Sequence, residues 1–217
     1  IHLLEAVRNA SLNPVIQIAC SSEQYGLVPQ ENLPVTEEAP FHPLSPYAVS
    51  RVTIDLMGYQ YFKSYGVRTI RTRAFNHTGP GQSDQFVCSR FAKMIAEIEK
   101  GLREPVLTVG NLDAIRDFTD VRDMVRAYAL SVTHGTAGEA YVIASGVGRS
   151  IQEVVDTLLS LSRLPIRVEI DPTLLRPSDV PALFGNSKKF EEATGWQPHI
   201  EFEETIEDIL NYWRARV

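Results

Sequence analysis

Residues 15–19, Val15-Ile16-Gln17-Ile18-Ala19, are a short apolar run rich in β-branched residues. It does not alternate with polar residues, which is typical of a strand buried in a parallel sheet. A helix-forming segment, residues 47–65, follows a proline-rich loop and stops at Gly66. Residues 67–75 then have the composition of a second strand. Strand, helix and strand in this order predict a parallel α/β sheet with helices on its faces.

The rest of the chain continues this alternation. Further strands are predicted at residues 106–109, 140–144 and 166–170. Further helices are predicted at residues 86–100, 121–132, 151–162, 187–194 and 202–216. Residues 76–82 are predicted to form a turn-rich loop after the second strand, at the sheet edge where open α/β sheets bind ligands.

Composition and charge exclude several classes of function. The 217 residues carry a formal net charge of −6, and 44% of them are hydrophobic, which is enough to bury a core. An acidic chain without basic runs argues against nucleic-acid binding, and no apolar run is long enough to cross a membrane. Cys20 and Cys88 do not have the spacing of metal ligands, so we expect a reduced, cytoplasmic protein without a metal site.

Tyr47 and Arg51 are the first candidate catalytic pair. They stand four residues apart at the start of the predicted helix, so they share one helix face. A cation there favours the phenolate form of the tyrosine, which can then exchange a proton with a sugar oxygen. Because the same spacing is common in helices without a catalytic role, the pair by itself leaves both interpretations open.

Ser21, Ser22 and Glu23 are the second candidate group. They follow the strand at residues 15–19, so we expect them at the same carboxyl edge of the sheet as Tyr47. A hydroxyl there can hydrogen-bond the oxygen that Tyr47 protonates, and a carboxylate can act as a base. Taken alone, the segment also fits a polar turn in which a serine caps a helix.

Together these motifs resemble those of the extended short-chain dehydrogenase/reductases. The matching segments are SSE-x-YG at residues 21–26, P-x-SPYA-x-S at 43–50, R-x-FNH-x-GP at 73–80, RDF-x-DV-x-D at 116–123, LRPSDV at 175–180 and TGW-x-P at 194–198. Within this family the chain resembles the GDP-mannose branch, which contains GDP-mannose 4,6-dehydratase and GDP-4-keto-6-deoxy-mannose reductase. Gly81-Gln82, where the dehydratases have an arginine pair, and residues 109–123 favour the reductase.

The resemblance implies a role for each candidate residue. Tyr47 would be the catalytic acid/base, with Ser21 on the substrate oxygen and Ser22 beside it. Glu23 matches the base of the dehydratases. The cofactor, NADP(H) or alternatively NAD(H), would be bound by Tyr47, Arg51 and His77. The GDP-sugar would be bound by Asn76, by Arg116 and Arg176 at the diphosphate, and by Asp179 at a ribose hydroxyl.

Two features depart from the family pattern. The family has lysine where this chain has Arg51, whose guanidinium keeps the charge in a larger and differently shaped group. The glycine-rich turn that holds the cofactor pyrophosphate does not occur in the sequence, and residues 1–8 read as the middle of a helix. We therefore expect a fragment of a longer enzyme that by itself binds NADP(H) poorly.

The implied fold is α/β, an incomplete doubly wound parallel (Rossmann-like) sheet with a smaller α/β substrate-binding domain. Residues 1–81 would be the C-terminal part of the NAD(P)-binding domain and residues 82–217 mainly the substrate domain, with residues 121–144 returning to the sheet. The implied activity is reduction of the 4-keto group of a GDP-4-keto-6-deoxy-hexose to a GDP-rhamnose type product, by a homodimer. The alternatives are a GDP-mannose 4,6-dehydratase or related epimerase, and a non-catalytic GDP-sugar-binding relic or fragment.

Overall fold

The structure, a computed structural model, describes residues 1–175 and 180–217 and alternates helices with strands. The helices are α1 (His2–Asn9), α2 (Pro46–Tyr65), α3 (Val87–Glu99), α4 (Val121–His134), α5 (Ile151–Ser160), α6 (Lys188–Thr194) and α7 (Phe202–Arg214). The strands are β1 (Ile16–Ala19), β2 (Thr69–Ala74), β3 (Asn76–Thr78), β4 (Val106–Val109), β5 (Ile115–Asp120), β6 (Ala140–Ile143), β7 (Gly148–Ser150), β8 (Arg167–Ile170) and β9 (Ala182–Leu183). Short 3₁₀ helices lie at Ser22–Gln24, Gln30–Asn32 and Pro172–Leu174.

The first sheet has the strand order β1-β2-β6, and both of its pairings are parallel. Helix α2 makes the crossover from β1 to β2, which confirms the predicted parallel α/β unit. Ala19 pairs with Thr72, and Ala74 pairs with Ile143. The carboxyl ends of all three strands therefore lie at the same edge, and the segments that leave this edge carry the candidate site residues.

Helix α2 begins and ends where its flanking residues allow. The hydroxyl oxygen of Ser45 accepts a hydrogen bond of 3.1 Å from the backbone N–H of Ala48, and Pro46 occupies the first turn, where no N–H is needed. Gly66 ends the helix in the left-handed conformation, with φ of 71°. The predicted helix is confirmed, and its cap sets the position of Tyr47 at the edge of the sheet.

A second sheet is built around β5. It pairs with β3 and β9 in parallel and with β7 in antiparallel orientation, while β4 and β8 form a separate parallel pair. The prediction of a turn-rich loop at residues 76–82 is wrong at its start, since Asn76–Thr78 form β3. These residues pair with Phe118–Asp120, and a partner so distant in sequence leaves no local pattern.

The two sheets meet at Phe75. This residue alone separates β2 of the first sheet from β3 of the second. Its side chain is buried in a small hydrophobic cluster with Tyr25, Val35, Val142 and Leu183. As a result Asn76 stands where the carboxyl edge of the first sheet adjoins the second one.

Two larger hydrophobic clusters support the sheets. The first joins the face of β2 and β6 to α4 and α6 and includes Ile70, Ala74, Met124, Ala127, Tyr141, Ile143, Phe190 and Trp196. The second lies among α3, α5 and α7 and includes Phe91, Ile95, Val155, Leu158, Ile206 and Ile209. Strand β6 and helix α4 thus pack with the first sheet. The assignment of residues 1–81, 82–217 and 121–144 to domains stays a prediction.

Candidate active site

Tyr47 lies in the first turn of α2, and 50% of its surface is exposed. The guanidinium carbon of Arg51 lies 4.7 Å from the centre of the Tyr47 ring, within the range of a cation–π contact. Nη1 of Arg51 also donates a hydrogen bond of 3.3 Å to the carbonyl of Ala19, the last residue of β1. The structure therefore brings together the tyrosine and the cation that the four-residue spacing predicted.

The Nε atom of Arg51 has an unfavourable position. It is buried, and within residues 1–175 and 180–217 no group accepts a hydrogen bond from it. A buried donor left without a partner costs about 1–3 kcal/mol. Arginine at the position where the family has lysine therefore lowers the stability of the fold, and Arg51→Lys would remove this cost.

Ser21, Ser22 and Glu23 form the start of a 3₁₀ helix at the end of β1. The Ser21 hydroxyl oxygen accepts a hydrogen bond of 3.2 Å from the backbone N–H of Glu23. In return, Oε1 of Gln24 accepts one of 2.9 Å from the Ser21 N–H, which completes a capping box. Ser22 is buried and Glu23 is exposed. Ser21 keeps its hydroxyl proton available for donation, so both interpretations of this segment, a cap and a substrate contact, are compatible with the geometry.

Asn76 and Arg116 line a cavity of about 520 Å³ between α3 and the second sheet. The other lining residues are Gln85, Phe86, Val87, Arg90, Phe91, Gly110, Asn111, Ala114, Phe118, Ile151, Thr173 and Leu174. Two of these lining side chains are cations, Arg90 and Arg116, and none is acidic. A concave site of this size with cations and amides suits a phosphorylated small ligand.

Arg116 also contacts the backbone of the cavity wall. Its Nη1 donates hydrogen bonds of 2.8 Å to the carbonyl of Ile115 and of 2.7 Å to the carbonyl of Val180. Val180 comes directly after Asp179 and four residues after Arg176, and both of these lie outside the described residues. His77 is exposed, and its Nδ1 lies 3.2 Å from the carbonyl of Phe75. The binding roles of these residues stay predictions.

Asp117 anchors the wall next to Arg116 from the inside. Its fully buried carboxylate accepts hydrogen bonds of 2.7 Å from both the N–H and the hydroxyl of Ser145 and of 3.0 Å from the N–H of Gly146. The Gly185 N–H adds a fourth at 3.3 Å. Burial raises the pKa of the Asp117 carboxyl, although these donors oppose the rise. Asp117 thus ties β5 to the segments after β6 and β9.

Phe86, Arg90 and Asn111 are among the cavity residues that were not predicted as site residues from the sequence. Phe86 is 57% exposed at the start of α3, Arg90 lies one turn further along the helix, and Asn111 follows β4. Phe86 and Arg90 stand in no motif of the family resemblance, and Asn111 lies in the 109–123 segment of that resemblance without a role assigned to it. Each of them lies near an end of a helix or strand beside the second sheet. This shared position exists only in the folded chain, so the sequence gives no signal for it.

The described residues lack two features that accompany other functions. Within residues 1–175 and 180–217, no group of three or more His, Cys, Asp or Glu side chains is arranged to hold a metal ion. In the same residues, no helix is both long and apolar enough to span a bilayer. The residues at the carboxyl edge do fit the nicotinamide end of a dinucleotide, because Tyr47 is accessible there and the Arg51 cation lies against its ring.

Comparison with known proteins identifies the family. The family model described as GDP-mannose 4,6 dehydratase matches residues 1–209. The chain belongs to this family. GDP-6-deoxy-D-mannose reductase of Pseudomonas aeruginosa is 34% identical over 217 residues, which cover 100% of this chain and 71% of the reductase. GDP-mannose 4,6 dehydratase 2 of Arabidopsis thaliana is 32% identical, over 97% of this chain and 57% of that dehydratase.

A solved structure agrees with this placement in the GDP-mannose 4,6-dehydratase family. The structure of RMD from Pseudomonas aeruginosa complexed with NADPH has a TM-score of 0.94 and 34% sequence identity, over 99% of this chain and 71% of that one. The predicted membership of the extended short-chain dehydrogenase/reductases, in their GDP-mannose branch, is confirmed. The Rossmann-like α/β fold is confirmed as well.

Proposed function

We propose that this chain carries the substrate site and the catalytic tyrosine of an NADP(H)-dependent reductase. The reaction is reduction of the 4-keto group of a GDP-4-keto-6-deoxy-hexose to a GDP-rhamnose type product. The observation that carries the proposal is the arrangement of the site: an accessible Tyr47 with its cation at the sheet edge, and a cationic cavity that begins at Asn76. Similarity to the Pseudomonas reductase over the whole chain, and to a structure complexed with NADPH, supports the choice of reaction and cofactor.

In this reaction the side chains at the carboxyl edge of the sheet transfer the proton and stabilise the developing negative charge. Bound NADP(H), which Tyr47, Arg51 and His77 would hold, supplies the hydride. Tyr47 donates its hydroxyl proton to the oxygen that becomes negatively charged at C4. The Ser21 hydroxyl donates a hydrogen bond to the same oxygen, which stabilises the charge as it develops. Arg51 favours the phenolate that remains on Tyr47 after the transfer.

The cavity binds the nucleotide in this proposal. Arg116 and Arg90 contribute positive charge for the diphosphate, and Asn76 contacts the sugar. Arginine suits a diphosphate because its planar guanidinium can donate two parallel hydrogen bonds to phosphate oxygens. From the family resemblance, we also propose that Arg176 binds the diphosphate and that Asp179 binds a ribose hydroxyl. Both residues lie outside the described part of the chain.

A second candidate function is GDP-mannose 4,6-dehydration. One observation favours it: Glu23 is exposed at the same edge as Tyr47, where a carboxylate could remove a proton from the sugar. A dehydratase returns the hydride to its own substrate and therefore consumes no NADPH. Incubation with GDP-mannose alone separates the two reactions, since only a dehydratase converts it.

We also propose that the protein is a cytoplasmic homodimer that pairs through α2. The outer face of this helix exposes Val49 (51%) and Leu56 (53%). Residues 49, 52, 53, 56 and 60, at helical spacing, line a shallow, largely apolar depression on this face. Both cysteines are free and buried, in keeping with a reducing compartment. Light scattering after size exclusion should show a dimer and, for Leu56→Lys, a monomer. Val125→Lys, at an equally exposed apolar position on α4, is the control.

The first experiment is calorimetric titration of the 217-residue chain with GDP-mannose and, separately, with NADPH. We expect GDP-mannose to bind and NADPH to bind weakly or not at all. The activity test uses the holoenzyme, by which we mean the full-length protein with bound NADP(H). NADPH oxidation that depends on a GDP-4-keto-6-deoxy-hexose would then support the reductase. Binding of GDP-mannose without any turnover in the holoenzyme would support the non-catalytic alternative. Binding of neither ligand would contradict the proposed function.

A further inference from the structure

Asp55 is a buried carboxylate on the helix that carries Tyr47. It lies eight residues after Tyr47 and four after Arg51, so the three share one face of α2. The surface of Asp55 is 0% exposed. Its Oδ2 accepts a hydrogen bond of 2.7 Å from Nε of Arg73, and its Oδ1 accepts one of 2.8 Å from Nη1 of Arg71. No motif of the sequence pointed to this residue.

A third partner connects Asp55 to the serine segment. Nε2 of Gln24, which is also 0% exposed, donates a hydrogen bond of 3.1 Å to Oδ2 of Asp55. Oε1 of the same amide accepts the N–H of Ser21 at 2.9 Å. One side chain therefore joins the backbone of Ser21 to the carboxylate of Asp55.

The arginine partners connect Asp55 to the strand that leads into the cavity. Arg73 lies on β2, three residues before Asn76. Its guanidinium is held on the other side by the carbonyl of Glu37 at 2.7 Å and by the hydroxyl of Tyr25 at 3.2 Å. Asp55 thus bonds the helix of Tyr47 to the segment of Ser21 and to β2, the strand that leads to Asn76.

The network also explains how a carboxylate can be buried at this point. Burial by itself would raise the pKa of the Asp55 carboxyl, but the hydrogen bond and charge of Arg73, the Gln24 amide and the charge of Arg71 outweigh burial. The result is a pKa below the ordinary value, so the group is charged at neutral pH. A charged group that accepts several hydrogen bonds in an apolar interior has few alternative geometries, so it holds the segments that it connects in fixed relative positions.

We propose that Asp55 is a positioning residue, which sets the distance between the Ser21 hydroxyl and the Tyr47 hydroxyl. The inference rests on the proposed function, in which both hydroxyls contact the same substrate oxygen. Asp55 acts through Gln24 on Ser21 and through α2 on Tyr47, and it does not touch the substrate. The nucleotide cavity is lined by residues from other elements, so Asp55 affects the reacting end of the substrate more than its GDP end.

The activity test compares Asp55→Asn with Asp123→Asn in the holoenzyme. Asp123 is a matched control, since it is also a buried carboxylate that pairs with an arginine, Arg126. Its carboxylate also accepts hydrogen bonds from the N–H groups of His199 and Ile200, in a segment that carries none of the proposed site residues. We expect Asp55→Asn to lower kcat by about 10- to 100-fold, because a misplacement of the order of 1 Å has effects of this size. We expect KM for the GDP-sugar to change less than about twofold. Equal losses of kcat in both variants would overturn the proposal.

A second variant isolates the connection to Ser21. Gln24→Met keeps much of the volume and removes both amide hydrogen bonds, while the arginine pairs of Asp55 remain. It should reproduce the loss of kcat without the loss of stability that disruption of an ion pair causes. An unchanged kcat in Gln24→Met would show that Asp55 does not act through Ser21.

A third measurement does not depend on turnover. Hydrogen–deuterium exchange of the 217-residue chain should be faster at the Ser21 and Tyr25 amides in Asp55→Asn than in Asp123→Asn. Unaltered exchange at these amides would overturn the positioning role even if the variant were less active. A wild-type holoenzyme without activity on GDP-4-keto-6-deoxy sugars would instead contradict the proposed function, and the exchange experiment would still decide the role of Asp55.

Discussion

Arg73 and Asp55 form a two-point ion pair inside the protein. Nε of Arg73 lies 2.7 Å from Oδ2 of Asp55, and Nη2 lies 3.2 Å from Oδ1. Both side chains are buried, Asp55 completely. The pair crosses from β2 to α2, and the same carboxylate holds Gln24. The buried Asp55 carboxylate therefore connects α2, β2 and the segment of Gln24, and we expect its removal to affect stability, pH dependence and catalysis.

Removal of the arginine should destabilise the fold strongly. Arg73→Met leaves the Asp55 carboxylate with Arg71 and Gln24 only, and loss of one partner of a buried ion pair typically costs about 3–5 kcal/mol. We expect a decrease of this size in the free energy of unfolding, measured by urea titration followed by circular dichroism. Lys188→Ala, which breaks an exposed pair with Glu192, should change it by less than about 1 kcal/mol. Similar effects of the two substitutions would contradict the prediction.

The contribution of Asp55 to the free energy of unfolding should decrease as the pH falls. Its pKa in the folded protein lies below the ordinary value of 3.8, since the Arg73 and Arg71 pairs and the Gln24 amide outweigh the effect of burial. A carboxyl with a lowered pKa stabilises the fold at pH values above its unfolded pKa, and this contribution disappears as the pH falls through the folded one. The difference in unfolding free energy between wild type and Asp55→Asn should therefore be constant near neutral pH and shrink below about pH 4. Urea titrations over a pH series measure it, and a difference that grows on acidification would contradict the assignment.

Tyr47→Phe should abolish most of the activity and leave binding intact. The substitution removes only the hydroxyl group of a side chain that is 50% exposed, so the fold should not change. Loss of general acid catalysis typically lowers the rate by about 10²- to 10⁴-fold. Steady-state NADPH oxidation by the holoenzyme measures the rate, and calorimetry should give an unchanged dissociation constant for GDP-mannose. Retained activity would remove Tyr47 from the mechanism.

Arg51→Lys should raise turnover in the holoenzyme. A lysine restores the compact cation of the family pattern and removes the buried Nε atom that lacks a partner. The free energy of unfolding should rise by about 1 kcal/mol for the same reason. Arg51→Met, which removes the charge, is the control and should lower turnover. If Arg51→Lys brings no gain in rate, the guanidinium serves as well as the ammonium at this position.

Arg90→Ala should weaken binding of the diphosphate. The positive charge of Arg90 contributes to the lowered pKa values of Asp84 and Asp171. The hydrogen-bond donor to Asp84 is Lys93, and the donor to Asp171 is Thr173. Loss of one charge-assisted contact at a partly solvated site should weaken GDP binding about 10-fold and leave guanosine binding unchanged. Calorimetry on the 217-residue chain measures both. Arg103→Ala, beyond the far end of α3, is the control and should have no effect on either ligand.

The elements that the sequence predicted well are those with a strong local signal. Helix α2 has a serine cap, a proline in its first turn and a glycine at its end, and each of these acts within one turn of the chain. Strand β1 was recognised because a buried parallel strand is a continuous apolar run. Strands β3, β5 and β7 were missed because they are short or polar and owe their conformation to partners far away in sequence.

For the candidate site, the amino-acid sequence is enough to show which side chains are available. It contains the Tyr47–Arg51 spacing, the Ser21–Glu23 segment after a strand, and motifs that place the chain in its family. It could do so because these features are local or are shared with relatives in the same order. How these side chains are held in place follows from the packing of the folded chain. The ion pair of Asp55 with Arg73, the Gln24 bridge to Ser21 and the cavity between Asn76 and Arg90 join residues from separate elements. Such contacts exist because packing buries their partners together, and the distance between two charges in a folded core is not encoded by the spacing between them along the chain.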